Sequence, residues 1–393
     1  MYSHEMYKLG SNRSVIRELF EFGLKRSAEI GKENVFDFSL GNPNVPAPSC
    51  VKQAIIDCLN ENELVHGYTS AQGDLSVRKT IANSINRRFG TTITCDNLYM
   101  TVGAAASLCI CLRALNTGNN EFITFAPFFP EYTVFTQSAG GKLVVIPAKE
   151  NDFQIDFDKF INAINANTKA VIINSPNNPS GVVYSEQTIA RLCQVLTEKS
   201  KEYNHPIFLI SDEPYREIVY DDVNVPYLLN YYPNTFVCYS YSKSLSLPGE
   251  RIGYIVVSNK MENNRNIYYA ICGAGRALGY VCAPSLFQKV IEKCVDATSD
   301  ITTYKTNRDL LYSGLTELGF ECVKPNGAFY MFVKAMESDA NAFCEKAKQF
   351  DLLIVPSDDF GVKGYARIAY CVTTQQIKNA MPAFAKLANA YKK

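Results

Sequence analysis

The sequence lacks an excess of charge of either sign, and it lacks any long hydrophobic run. Its 39 lysine and arginine residues balance 39 aspartate and glutamate residues, so the formal net charge is zero. A neutral chain gives no indication of binding to nucleic acid or to an anionic membrane. No unbroken apolar segment is long enough to cross a bilayer, and the first residues contain no apolar signal-peptide core. We therefore expect a cytoplasmic protein without nucleic-acid or membrane partners.

Cysteine is frequent, but it lacks the spacing of metal-binding sites. The thirteen cysteines include no CxxC pair and no cysteine–histidine cluster, and the sequence therefore predicts no metal site. An odd number of cysteines also argues against a complete disulfide framework. Five of them lie in apolar runs, as small core residues of a protein in a reducing compartment do: Cys109, Cys111, Cys193, Cys238 and Cys272.

The chain is too long for one small core. Its 393 residues predict roughly two or three domains. Between residues 97 and 254, apolar segments alternate with helical patterns such as 104–115 and 185–203. This alternation predicts a mostly parallel sheet covered by helices on both faces, which is an α/β fold. The predicted strands are 122–125, 143–147, 170–174, 207–211, 236–241 and 252–257.

The segments outside this pattern predict a second, smaller domain. We assign residues 45–285 to a large α/β domain. Residues 1–44, which begin as an amphipathic helical arm, and residues 286–393 are assigned to a small α+β domain. A long helix is predicted from Ser285 to about Leu318.

Polar side chains follow three of the predicted strands at their carboxyl ends, where ligands bind in parallel sheets. Asn178 follows strand 170–174, Asp212 and Tyr215 follow strand 207–211, and Lys243 follows strand 236–241. Each has an ordinary structural explanation: Asn178 as a turn former, Asp212 as a helix cap and Lys243 as a solvated loop lysine. Together they indicate one site.

The combination of an amine, a carboxylate, a phenol and an amide matches what pyridoxal 5′-phosphate requires. Lys243 can form a Schiff base with the aldehyde, and Asp212 can keep the pyridine nitrogen protonated. Tyr215 and Asn178 can hydrogen-bond the ring oxygen and lower the basicity of the imine at Lys243. The phosphate is expected at the start of helix 104–115, where free N–H groups and the helix dipole favour an anion. Its predicted contacts are Gly103, Ala104, Ala105, Ser240, Ser242 and Arg251.

At these residues the sequence resembles the class I and II aminotransferases of the fold-type I pyridoxal-phosphate enzymes. The motifs occur in the family's order and span roughly residues 37–370. They are SLGNPN, GYTSAQGDLSVR, TVGAAASL, PFFPEY, NSPNNPSG, SDEPY, SYSKSLSLPGERIGY, NGAFY and YARIAY.

The resemblance implies roles for residues that spacing does not identify. Lys243 would also move the proton between the substrate's α-carbon and the cofactor, and Phe129 would stack on the pyridine ring where the family has Trp or Tyr. Tyr68 would reach the phosphate of a neighbouring subunit, which implies a homodimer with composite active sites. Arg367 would bind the substrate's α-carboxylate, and Gly41 would lie against the substrate as the small domain closes.

The resemblance predicts an aminotransferase of amino-acid metabolism, with biosynthesis as its expected context, and it leaves the substrate open. Asn178 is also expected to contact the substrate. Arg276 lies at the right distance after Lys243 to read a distal carboxylate, as aspartate requires, but it fits a helix-start arginine equally well. Phe128, Phe129 and Tyr132 would equally suit an aromatic substrate.

Two alternatives use the same scaffold. A carbon–sulfur β-lyase would share the site and differ in the fate of the carbanion. A non-catalytic regulator that binds the cofactor would need a DNA-binding module, and the residues before the core contain no helix-turn-helix pattern or basic cluster. A simple dinucleotide-binding fold is not indicated, since no GxGxxG opens the first βα unit.

Overall fold

The computed structural model describes residues 2–11, 14–61, 63–149 and 152–392. The predicted N-terminal arm includes residues 1, 12 and 13, which lie outside these ranges. Contacts divide the chain into two compact units. The large unit comprises residues 45–301 and 326–328, and the small unit comprises residues 1–44, 302–325 and 329–393.

The described residues form fourteen α-helices and five short 3₁₀ helices. The α-helices are α1 His4–Ser11, α2 Val15–Ile30, α3 Ser49–Glu61, α4 Leu75–Phe89, α5 Ala104–Leu115, α6 Glu131–Ser138, α7 Phe157–Ala163, α8 Glu186–Glu202, α9 Tyr241–Ser244, α10 Asn264–Ala277, α11 Ser285–Cys294, α12 Thr302–Glu317, α13 Ala340–Lys348 and α14 Thr374–Asn389. The 3₁₀ helices are Lys32–Asn34, Cys95–Asn97, Leu228–Asn230, Pro248–Glu250 and Asp358–Phe360. None of the helices in these ranges has both the length and the apolar character of a bilayer-crossing segment.

Twelve strands are present in the same ranges. They are β1 Phe36–Asp37, β2 Leu98–Thr101, β3 Glu121–Phe125, β4 Lys142–Ile146, β5 Thr168–Asn174, β6 Phe208–Asp212, β7 Thr235–Ser240, β8 Gly253–Val257, β9 Tyr330–Lys334, β10 Leu352–Leu353, β11 Val355–Pro356 and β12 Tyr365–Ala369.

The large unit is built on a seven-stranded sheet in the order β2-β8-β7-β6-β5-β3-β4. The five strands from β4 to β7 are parallel, and β8 is antiparallel to both of its neighbours. The mostly parallel sheet that the apolar runs predict is therefore confirmed. Nearly every residue in β5 to β8 is buried, because helices cover both faces of the sheet.

Each face of the sheet has its own helices. On one face, two apolar clusters join the strands to α3, α4 and α11 at one end and to α7 and α8 at the other. Helix α5 packs on the middle strands β6, β7 and β8 and also contacts α10. With twelve residues and a largely apolar sequence, α5 is suited to this buried position.

Local sequence signals fix the ends of the helices around the sheet. Helix α4 begins after Asp74, whose carboxylate accepts hydrogen bonds from the amides of Ser76 (2.9 Å) and Val77 (3.3 Å). It ends at Gly90, which has the left-handed conformation that glycine adopts without strain. Helix α8 begins in the same way after Ser185, which accepts from the Thr188 amide at 3.1 Å.

The long helix predicted from Ser285 to about Leu318 is wrong, because the structure has two helices there, α11 and α12. The segment between them, residues 295–301, is rich in Asp, Ser and Thr, which favour turns over helix interiors. The amide of Ser299 donates to the carbonyl of Ser244 at 2.7 Å, so this segment is bound to the chain that follows β7. Helix α11 packs on α3 and α4 and lies in the large unit, which therefore extends to Ile301 instead of residue 285.

The described residues of the small unit form two small sheets and five α-helices. Strands β11, β12 and β9 form an antiparallel sheet, and β1 pairs in parallel with β10. The helices of this unit are α1, α2, α12, α13 and α14. Strand β1 is only two residues long.

Candidate active site

Adjacent strands of the large sheet bring the predicted residues to one edge. Asn174 is in register with Asp212, and Asp212 with Cys238, so β5, β6 and β7 end side by side. Ser240, the last residue of β7, is in register with Gly253 of β8. Lys243 follows β7 by three residues and therefore leaves the sheet at the edge where Asp212 ends β6.

Lys243 lies in the single turn of helix α9, and its side chain is half-buried. Ser240 begins this turn by accepting a hydrogen bond from the Ser242 amide at 3.2 Å. The hydroxyl of Ser299 donates to the Lys243 carbonyl at 3.4 Å. The backbone at Lys243 is therefore held from both β7 and the segment before α12.

Asp212 is a buried carboxylate with two unlike oxygens. The hydroxyl of Tyr132 donates to Oδ2 at 2.6 Å. The other oxygen, Oδ1, is buried and has no hydrogen-bond partner among the described residues. A buried carboxylate oxygen without a partner is costly, so Oδ1 is suited to a cationic donor supplied by a ligand.

In the protein without a ligand, the surroundings of Asp212 favour the neutral form of its carboxyl group. The pKa of the Asp212 carboxyl is raised to about 7, chiefly by burial; the hydrogen bond from Tyr132 lowers it, and the nearby charge of Glu213 raises it. Glu213 is itself paired with Arg216, whose Nη2 donates to Oε1 at 2.8 Å. A cation next to Oδ1 would favour the ionised form of Asp212.

The turn after β5 is joined to Asp212 by an asparagine. Asn174 donates from its side-chain amide to the carbonyl of Asp212 at 2.9 Å. Its side-chain oxygen accepts from the amide of Asn178 at 2.7 Å. Asn178 and Tyr215 are both buried, at 6% and 5% exposure, so the amide and the phenol lie inside the protein next to the end of β6.

The start of α5 and Arg251 form a region suited to an anion. Gly103 precedes the helix with φ of +99°, and no side chain among the described residues caps the helix there. A Cβ on Gly103 would lie 2.8 Å from Nη2 of Arg251, so the guanidinium lies directly against this glycine. The first amides of a helix lack intrahelical partners, and with Arg251 they can bind a phosphate that contacts Ala104 and Ala105.

Two serines lie on the same side of the sheet edge. The hydroxyls of Ser240 and Ser242 are 2.7 Å apart, and both residues are buried. Arg251 has the left-handed backbone conformation, and its Nη1 donates to the carbonyl of Pro248 at 3.0 Å. This contact fixes the guanidinium while leaving its other nitrogens available.

The remaining predicted residues of the large unit lie in different environments. Phe129 is half-buried, and its ring is edge-on to Tyr132 with centroids 5.8 Å apart. Tyr68 is 98% exposed. Arg276 is exposed in the last turn of α10, and its guanidinium makes no hydrogen bond or ion pair within the described ranges.

Two predicted residues lie in the small unit. Arg367, in β12, is 3% exposed and donates from Nη2 to the carbonyl of Ser39 at 2.6 Å. Its guanidinium carbon lies 4.7 Å from the centre of the Tyr330 ring and 5.1 Å from that of Phe360. A Cβ on Gly41 would be 1.8 Å from the Tyr330 hydroxyl, so a larger residue at this position would have to displace the Tyr330 side chain.

Sequence reasoning missed the contacts of Tyr132 and Asn174. The sequence associates Tyr132 only with an aromatic substrate, whereas its hydroxyl donates to Asp212 and the residue is 1% exposed. The sequence could have indicated Tyr132 as a site residue, because Tyr132 follows strand β3 at its carboxyl end. Asn174 could have been identified in the same way, because it is the last residue of β5.

Known proteins resemble this chain in sequence and in fold. Residues 33–384 match the family described as aminotransferase class I and II. A crystal structure of an amino transferase from Eubacterium rectale is 60% identical in sequence, with a TM-score of 0.99 and 100% of both chains covered. A probable aspartate aminotransferase from Methanocaldococcus jannaschii is 29% identical over 94% of this chain and 95% of its own length. Aromatic-amino-acid aminotransferase 2 from Thermococcus litoralis is 28% identical over 96% of each chain.

Proposed function

The chain belongs to the class I and II aminotransferases, and we propose that Lys243 is the residue that carries its cofactor. The enzyme depends on pyridoxal 5′-phosphate and moves an amino group between an amino acid and a 2-oxo acid. When bound, the cofactor supplies an aldehyde for a Schiff base and a protonated ring that accepts the electron pair left by the departing α-proton.

The assignment of the site rests on one observation, which is the hydrogen bonding of the Asp212 carboxyl group. Its buried Oδ1 has no hydrogen-bond partner among the described residues, and its Oδ2 is held by Tyr132. We propose that Oδ1 accepts a hydrogen bond from the protonated ring nitrogen of the cofactor. The resulting ion pair would satisfy the oxygen and keep the ring cationic, as the chemistry requires.

Lys243 is proposed as the group that moves the proton. Its Nζ would accept the proton of the substrate's α-carbon and deliver it to the adjacent cofactor carbon. The bonds to Ser299 and the turn of α9 support this role, because they fix the backbone from which the amine extends. Tyr215 and Asn178, buried near the end of β6, are proposed to bind the ring oxygen and to keep the nitrogen at Lys243 weakly basic.

The phosphate is proposed to bind at the start of α5. The amides of residues 103–105 would contribute N–H donors, and Arg251 would contribute the opposite charge. Ser240 and Ser242 would complete the contacts with their hydroxyls. The close approach of Arg251 to Gly103 supports this assignment, since both the amides and the cation would be within reach of one anion. Phe129 would stack on the ring.

A homodimer with composite active sites is proposed from Tyr68. A tyrosine that is 98% exposed buries little apolar surface within its own chain, so its ring and hydroxyl are available to a second subunit. We propose that this hydroxyl binds the phosphate in the partner's site. A cytoplasmic location is also proposed, which is consistent with thirteen free cysteines among the described residues.

For the substrate, we propose an L-amino acid of the aspartate or aromatic type, as the names of the relatives indicate. Arg367 would bind the α-carboxylate through two parallel hydrogen bonds, and Gly41 and Asn178 would contact the substrate. Arg276 would read the distal carboxylate of aspartate. Its exposed guanidinium without an ion-pair partner in the described ranges supports this role.

Borohydride reduction of the holoenzyme tests the site. Reduction makes the Schiff base permanent, so the peptide that contains Lys243 should gain the mass of the reduced cofactor in a mass spectrum. Lys260, also in the large unit, serves as the internal comparison. Label on another lysine, or the absence of label in a preparation that absorbs as a cofactor complex, would overturn the assignment of Lys243.

A further inference from the structure

The bond between Tyr132 and Asp212 joins two buried side chains from different elements. Tyr132 is the second residue of α6, Asp212 is the last residue of β6, and their exposures are 1% and 5%. The Tyr132 and Asp212 oxygens are 2.6 Å apart, which is a short distance for a hydrogen bond from a hydroxyl to a carboxyl oxygen. Among the described residues, Tyr132 is the one side chain that donates to this carboxylate.

The phenol of Tyr132 is fixed by packing as well as by this bond. Its ring is edge-on to Phe129 at 5.8 Å between centroids and lies 6.4 Å from the ring of Phe128. Phe128 and Phe129 lie in the short segment between β3 and α6, and Tyr132 lies in the first turn of α6. Because the segment is packed in this way, the hydroxyl cannot turn from Asp212 without disturbing its neighbours.

We propose that Tyr132 is a positioning residue for the cofactor: its hydroxyl holds Oδ2 of Asp212 and thereby reserves Oδ1 for the protonated ring nitrogen. This inference rests on the proposed role of Asp212. Asn174 cannot replace Tyr132, since its amide binds the main-chain carbonyl of Asp212 and not the carboxylate. Without the phenol, both carboxylate oxygens would be buried without a protein donor, and the neutral acid would be favoured.

The electrostatic surroundings make this donor important. Burial favours the neutral carboxyl, and Glu213 adds a negative charge near Asp212, so both effects raise the pKa of Asp212. The hydrogen bond from Tyr132 acts in the opposite direction and lowers that pKa. Tyr132 therefore stabilises the ionised carboxylate that a cationic ring needs.

The test compares two variants that each lose one buried hydroxyl. Tyr132→Phe removes the donor to Asp212, and Tyr232→Phe removes a donor to the carbonyl of Ile207, just before β6, at 2.7 Å. Each apoprotein is titrated with pyridoxal 5′-phosphate, and thermal unfolding checks that both are folded. We expect the dissociation constant of Tyr132→Phe to rise about tenfold or more, and that of Tyr232→Phe to change by less than about twofold.

A spectroscopic readout separates positioning from a general structural effect. With ¹⁵N-labelled pyridoxal phosphate, the ring-nitrogen chemical shift should indicate a protonated nitrogen in the wild type and in Tyr232→Phe, and a less protonated one in Tyr132→Phe. In an Asp212→Asn background, Tyr132→Phe should weaken cofactor binding much less than in the wild type, because the two residues act as a pair.

The outcomes distinguish this inference from the proposed function. If the wild type carries the cofactor on Lys243 but Tyr132→Phe matches Tyr232→Phe in affinity and in chemical shift, the role of Tyr132 is refuted and the site stands. Equal effects of Tyr132→Phe with and without Asp212 would also refute it. If the wild type carries no cofactor on Lys243, both fail.

Discussion

The guanidinium of Arg251 lies so close to Gly103 that it would have to move to make room for a side chain there. A Cβ there would lie 2.8 Å from Nη2 and 3.3 Å from the central carbon of the guanidinium. Gly103 also has φ of +99°, which L-residues rarely adopt. The backbone at the start of α5 therefore favours glycine, and a side chain at residue 103 would also displace Arg251.

Gly103→Ala should weaken cofactor binding, because the new methyl group would push the Arg251 guanidinium away from the helix amides. Gly118→Ala is the matched control, since Gly118 has φ of +108° and open space around its missing Cβ. Both variants should lose about 1 kcal/mol or more of unfolding free energy through backbone strain. The dissociation constant for pyridoxal phosphate should rise in Gly103→Ala and stay unchanged in Gly118→Ala. Equal affinities would argue against a phosphate site at this helix.

Asp212 should make the stability of the apoprotein depend on pH. Burial raises its pKa from the ordinary 3.8 to about 7, so the unfolded state releases the proton first and stability falls as the pH rises through this window. Asp212→Asn lacks this titration. Relative to the wild type, the unfolding free energy of the variant should therefore gain roughly 2–3 kcal/mol between about pH 5 and about pH 8.

Urea denaturation of both apoproteins at the two pH values measures this difference. Asp222→Asn, a change at an exposed aspartate of the same unit, serves as the control and should follow the wild type. A relative stability of Asp212→Asn that stays constant, or declines, with rising pH would contradict the buried, neutral carboxyl.

Much of this site follows from local sequence, and the reason is physical. Apolar runs identify parallel strands, and the residue that follows each run leaves the sheet at the same edge. Asp212 and Lys243 could therefore be placed together without coordinates. Tyr132 could not be paired with Asp212 in this way, because β5 lies between β3 and β6 in the sheet. Sequence order does not give the lateral order of strands.

The helix break at residues 295–301 shows a second feature that local sequence does not predict. Local patterning suggested one helix, but the amide of Ser299 bonds to Ser244, which is far away in sequence. The strand β2 was not predicted either, since its four residues are too few for a clear period. Tertiary contacts decide such short elements.

Turnover with a single substrate should distinguish transamination from carbon–sulfur lysis. Given an amino acid and no 2-oxo acid, a transaminase should release about one product per active site and stop, since the cofactor retains the amino group. A lyase would continue. Rapid-mixing measurements with a coupled assay for the 2-oxo acid would show the difference.

Lys243→Ala should abolish even this first turnover, with a loss of about a thousandfold or more, because it removes the proposed proton carrier. Lys142→Ala is the comparison, since Lys142 forms an ion pair with Glu121 (2.8 Å) at the start of β4. Near-normal turnover in Lys243→Ala would show that another group moves the proton.

Arg276→Ala should reduce kcat/KM for aspartate and glutamate about 10- to 100-fold and leave aromatic and aliphatic amino acids unchanged, since a charged hydrogen bond to the distal carboxylate would be lost. Arg265→Ala is the control from the same helix, and its side chain is also exposed. A panel of half-reactions followed by absorbance gives the comparison. Equal losses for all substrates would indicate a structural role, and no loss would exclude Arg276 from substrate reading.

Arg367→Lys should lower kcat/KM for every amino acid by about 10- to 100-fold, because a lysine cannot form two parallel hydrogen bonds with one carboxylate. The packing of the guanidinium against Tyr330 and Phe360 fixes its plane, and an ammonium group would lose that orientation. Arg26→Lys, at a partly exposed ion pair with Asp351 in the same unit, is the comparison and should retain activity. A loss in Arg367→Lys confined to one class of substrate would contradict binding of the α-carboxylate, which all amino acids share.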